Sequence, residues 1–84
     1  MDNFQTPENI KLRIKQIMAS VFNVSVNEIT DDLSHRSIKQ WKGKNDLIMI
    51  EFIESEFDIK FETDEKETLV NYKIIVATVM AYLS

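Results

Sequence analysis

The sequence predicts an all-α fold: a small bundle of three main helices with one or two short ones, and a long loop before the central helix. Three observations carry that expectation. Apolar residues recur at three- and four-residue steps in three separate segments, the period of a helix with one face turned inward. The chain has one glycine, Gly43, and one proline, Pro7, so it makes little provision for the tight hairpins of a β-fold. Its 84 residues, 44% of them apolar, suit one domain spanning 1–84. The core of so short a chain must be economically packed, and no cysteine is present to staple it.

The first helix opens at Thr6-Pro7-Glu8, which supplies a hydroxyl cap, a proline at the first helical position and an acid in the first turn. Ile10, Ile14, Ile17, Met18 and Val21 form its apolar stripe, Lys11, Arg13 and Lys15 stay wet, and Asn23 suits a left-handed cap after Phe22. From Val24 to Gln40 the pattern is irregular. Ser25 and Glu28 have capping-box spacing, but only Ile29 and Leu33 follow as apolar anchors, which predicts one short turn and then an ordered loop. A loop of that length usually has a task.

The central helix is expected from about Gly43 or Asn45 to Phe57. Leu47, Ile50, Ile53 and Phe57 fall on one face, and Ile48, Met49 and Phe52 widen the apolar arc enough to predict contacts on several sides. Glu51, Glu54 and Ser55 hold the remaining face. Asp58 to Phe61 reads as a short extended exit, with Thr63 or Asp64 capping a brief turn through about Val70. The last helix runs from about Tyr72 to Leu83, with Ile75, Val76, Val79, Met80 and Leu83 turned inward.

Composition excludes several function classes. A single glycine rules out a P-loop and a dinucleotide fingerprint, which need several. With no cysteine and one histidine, His35, neither a Cys/His zinc site nor a thiol nucleophile can be assembled. His35 reads as a solvated loop residue. Neighbouring carboxylates such as Glu51 and Glu54 share one helical face, but nothing in the sequence supplies the pocket that a catalytic pair needs, so no catalytic residue is named and no enzyme is expected. Met1-Asp2-Asn3-Phe4-Gln5 lacks the basic start and apolar run of a signal peptide, and the ordinary apolar fraction argues against a membrane span. A cytoplasmic protein is the expectation.

Charge is unevenly spread. Arg36, Lys39, Lys42 and Lys44 lie between His35 and Lys44 with no carboxylate among them, so a chain of net charge −4 carries −8 elsewhere. Between Glu51 and Glu67 eight acids face only Lys60 and Lys66. So dipolar a surface points to a protein partner with complementary patches, because nucleic acid would be repelled by the acidic half.

The run Trp41-Lys-Gly-Lys-Asn-Asp-Leu-Ile-Met-Ile-Glu-Phe-Ile-Glu-Ser-Glu-Phe-Asp-Ile-Lys-Phe61 resembles the acyl carrier protein family, which also includes the peptidyl and aryl carrier domains. Members commonly read Trp-Asp-Ser-Leu, then a helix with this apolar pattern, closing on Glu-Glu-Phe followed by Asp or Gly and Ile. Val24 to Asp32 is similar to the family's entry into its long first loop, and Asn71-Tyr72 with Ile75 to the start of its last helix, so the resemblance covers roughly residues 8–83. It implies an acyl-carrier-like bundle whose central helix starts at a serine bearing 4'-phosphopantetheine, the arm that carries acyl or aminoacyl thioesters. A helix amino terminus suits the arm's phosphate, through its free N–H groups and dipole. In this chain the family's Asp-Ser-Leu falls on Lys42-Gly43-Lys44, and Gly43 has no hydroxyl to modify.

The resemblance thus implies a carrier-like domain associated with acyl or peptidyl thioester biosynthesis, in lipid or secondary metabolism, that has lost its attachment site. No cofactor is expected. Such a domain would persist as an interaction module. Family members dock acidic faces of this helix on basic partner patches, a role that would fall to Glu51, Glu54 and Glu56. Arg36, Lys39, Lys42 and Lys44 would add a positive region beside the former attachment position and favour a partner with some negative surface. One alternative keeps carrier activity and moves the attachment to Ser34 or Ser37; another is an unrelated small helical adaptor.

Overall fold

A computed structural model describes residues 6–84. Four α-helices follow in order: α1 Pro7–Phe22, α2 Lys44–Phe57, α3 Thr63–Lys66 and α4 Tyr72–Leu83, with a 3-10 turn at Val26–Glu28. Among the described residues there is no strand, only an isolated antiparallel bridge between Ser34 and Asn71. The fold is a small all-α bundle.

Local chemistry places most boundaries. The Thr6 hydroxyl accepts the Asn9 N–H at 3.2 Å at the start of α1, and Asn23 ends that helix in the left-handed conformation, φ 59°. Asp58 closes α2 in the same way at φ 55°. Such short polar side chains visit this region at low steric cost. Helix α3 is shorter than the expected turn through Val70. It is capped one residue earlier than Thr63, at Glu62, whose N–H donates to the Glu65 carboxylate at 2.9 Å.

Helices α1 and α2 form the principal packed pair. Ile10, Ile14, Met18 and Phe22 of α1 are buried together with Met49, Ile50 and Ile53 of α2 and Ile75, Val76 and Val79 of α4. The two anchors expected in the loop, Ile29 and Leu33, are buried in the same core. Tyr72 joins α4 to α1 by donating its hydroxyl to the Lys11 carbonyl at 3.2 Å. Burial, aided by the Asp31 carboxylate, pushes that hydroxyl up to about 12. At the other end of α2 the Arg13 guanidinium pairs with Glu56, with Nε 2.8 Å from Oε2.

The apolar arc of α2 that meets the core is narrower than the contacts on several sides expected from its sequence. Leu47, expected on the inner face, is 59% exposed, and Phe52 is 52% exposed. The buried positions of α2 are Met49, Ile50 and Ile53, so its core contacts cover only part of its circumference.

Candidate functional site

Gly43, Trp41 and the four cations singled out from the sequence lie where the long loop enters α2, whereas Glu54 and Glu56 lie in the last turn of that helix. Two anchors hold the loop. On the α4 side, His35 N–H donates to the Val70 carbonyl at 2.8 Å and Tyr72 N–H to the Leu33 carbonyl at 2.9 Å. On the α2 side, Trp41 is 1% exposed. Its ring stacks on Phe22 at 5.3 Å between centroids, and its Nε1 donates to Asp46 Oδ1 at 3.0 Å. Trp41 is therefore the packing residue expected at this junction. Arg36, Lys39, Lys42 and Lys44 are all exposed on or beside the segment between these anchors. None pairs with a described carboxylate.

Gly43 occupies the cap position of α2 with φ 60° and ψ −128°. Residues bearing a Cβ rarely adopt that conformation, and here glycine is required by backbone shape rather than by crowding. A Cβ at this position would meet nothing within 4 Å. The departure from the carrier pattern is thus more than a lost hydroxyl: space for a serine exists, but the backbone is one that serine would strain. With no side chain at the cap, the first amides of α2 turn to backbone. Asn45 N–H reaches the Lys42 carbonyl at 3.2 Å and Asp46 N–H the Gly43 carbonyl at 3.2 Å. Asn45 Nδ2 also donates to the Gln40 carbonyl at 2.9 Å. Asp46 places its carboxylate in the first turn, where it complements the helix dipole while holding the Trp41 indole.

A cleft of about 270 Å³ lies beside Gly43. Lys42, Lys66, Asp46 and Glu67 all line it, so its walls carry balanced charge. His35, exposed as expected, points Nδ1 at the Val70 carbonyl, 3.2 Å away. Among the described residues no group of His, Asp or Glu could hold a metal ion.

The three glutamates of α2 divide by role. Glu54 accepts the Phe61 N–H at 2.9 Å and so holds the extended exit after α2, while Glu56 is engaged by Arg13. Glu51 is exposed, and its side chain makes neither an ion pair nor a hydrogen bond with a described residue. Ser34 and Ser37 belong to a local turn. Ser37 Oγ accepts the Ser34 N–H at 3.0 Å, and Ser34 Oγ accepts the Arg36 N–H at 3.3 Å. Neither hydroxyl sits at a helix start.

What sequence reasoning missed is the outer apolar face of α2, formed by Leu47 and Phe52 around Glu51. A signal was present. Leu47 lies three residues after Lys44 and four before Glu51, both neighbours on a helix surface and both wet, so a wet position for Leu47 was readable from the helical period. No family model matches this chain, and no curated protein sequence matches it.

Proposed function

We propose that this chain is a carrier-protein-like module that bears no phosphopantetheine at the usual position and works by binding a protein partner. The observation that carries the reading is Gly43 at the open start of α2, delivered there by a long anchored loop and flanked by four unpaired cations. The loop, the buried Trp41 and the helix order support the carrier-like part. Leu47 and Phe52 supply exposed apolar anchors beside Lys44, and Glu51 is the acid left available on the same face. The partner this surface fits has an apolar recess for Leu47 and Phe52 and an acidic rim toward Lys39, Lys42 and Lys44. Enzymes of thioester metabolism are the class the resemblance suggests. The role is binding rather than catalysis, and a cytoplasmic setting goes with it. No described helix is long and apolar enough to cross a membrane.

Two measurements test the reading. Intact-mass analysis after incubation with coenzyme A and a broad-specificity phosphopantetheinyl transferase is expected to show no gain. A gain mapped to Ser34 or Ser37 would establish the alternative of an active carrier. Candidate enzymes are then assayed for binding to the wild-type chain and to two folded variants, Leu47→Glu/Phe52→Glu and Lys39→Glu/Lys42→Glu/Lys44→Glu. Both variants are expected to lose at least tenfold in affinity; a partner retained equally by both sinks the interface.

A further inference from the structure

A second surface lies away from α2, in a groove of about 580 Å³ between α1 and α4. That volume falls within the roughly 300–1,000 Å³ typical of small-molecule sites. Ile74, Ala77 and Met80 of α4 and Pro7 of α1 supply apolar walls. From Tyr72 to Met80 the lined stretch of α4 is about 12 Å long at ~1.5 Å per residue. Ile74 remains 36% exposed in it.

Charge decides what such a groove would take. Lys11 and Lys73 line it, one from each helix, and both are exposed and unpaired among the described residues. Lys15 stands 5.7 Å from the centre of the Tyr72 ring on the same helix pair, which adds positive charge nearby. Asp31 is the one acid in the lining. The Tyr72 hydroxyl is already committed to the Lys11 carbonyl, so the ring acts as wall. A simple inorganic anion would leave the apolar walls uncovered, and an apolar cation would face two lysines.

We propose that this groove binds an amphipathic organic anion, its charged head between Lys11 and Lys73 and its apolar body along Ile74, Ala77 and Met80. This site is independent of the α2 surface, and either can fail without the other. The test titrates the full chain with decanoate below its aggregation range while amide spectra are recorded. Saturable shifts at Lys11, Lys73, Ile74 and Ala77 are expected. Acetate, which has the head without the body, and decyltrimethylammonium, which has the body with the opposite head, are each expected to bind at least tenfold more weakly. Lys11→Glu/Lys73→Glu should weaken decanoate at least tenfold, Asp31→Asn should tighten it severalfold, and Ala77→Trp, at an exposed position that leaves the core intact, should block it. Equal binding of the cationic amphiphile, or shifts centred on Leu47 and Phe52, overturns the proposal. So does a dimer that Ala77→Trp dissociates, since the groove would then belong to a second copy of the chain.

Discussion

The starts of α2 and α4 solve the same problem in opposite ways. Each leaves amides without intrahelical partners. At α4 the answer is local: Asn71 Oδ1 accepts the Ile74 N–H at 2.8 Å. At α2 the cap residue is Gly43, which offers no side chain, and order comes from Trp41 bonded to Asp46 and stacked on Phe22. One start is secured by its own cap, the other by the hydrophobic core beneath it. The difference teaches that the α2 corner holds a glycine-only backbone shape and an uncovered surface at the same time, because its support lies inside.

The sharpest way to break this comparison is Trp41→Ala. Removing a fully buried aromatic costs about 3–5 kcal/mol. At about 4–8 °C per kcal/mol for a domain of this size, the melting temperature should fall by roughly 12 °C or more. Asn71→Ala should cost only about 1 kcal/mol, the usual worth of a side-chain cap. If thermal unfolding gave equal losses for the two, the claim that α2 is held from the core would fail. Between these lies Gly43→Ser. A side chain in a sparsely populated backbone region costs about 1–3 kcal/mol, so this variant is expected to destabilise even though serine is a favoured cap elsewhere. Gly43→Ala should behave alike, since the strain comes from the Cβ. A stabilised Gly43→Ser variant would mean that the backbone relaxes easily and that glycine there is incidental.

The same contrast explains what could be read in advance. Both ends of α1 and the short turn after it were legible because Thr6, Asn23 and the Ser25 and Glu28 pair act on neighbours a few residues away, and the span of α4 because its apolar residues keep the helical period. The start of α2 was legible to about Gly43 or Asn45, but the positive φ of Gly43 was not, since a glycine accepts either sign and the surrounding fold chooses. The bridge from Ser34 to Asn71 and the pairing of Arg13 with Glu56 join residues far apart in sequence, and no periodic pattern encodes them. Of the candidate site, the cations and Trp41 emerged from composition and resemblance. The distinction between Glu51 and the structurally committed Glu54 and Glu56 required the loop after α2 and the face of α1 to be in place.

A third helix start refines the comparison and carries the smallest expected effect. At α3 the Glu65 carboxylate accepts the Glu62 N–H, and the Tyr82 hydroxyl donates to the same oxygen, Oε1. The Tyr82 bond first, and the Glu62 amide second, hold Glu65 below the usual carboxylate range. A lowered carboxylate pKa contributes stability that is present above the unfolded value and lost as pH falls through the folded one. Tyr82 runs the other way. Chiefly through its bond to Glu65, its pKa is raised, so its contribution is present below about 10 and lost as pH rises through the raised value. The α3 cap should therefore loosen at both acid and alkaline extremes, whereas Asn71 has no proton to exchange in that range. Amide chemical shifts followed against pH provide the measurement: the Glu62 amide is expected to move in acid while that of Ile74 stays, and Glu65→Gln should flatten the Glu62 curve. Parallel movement of the two amides would show that acid acts on the bundle as a whole and that the α3 start has no chemistry of its own.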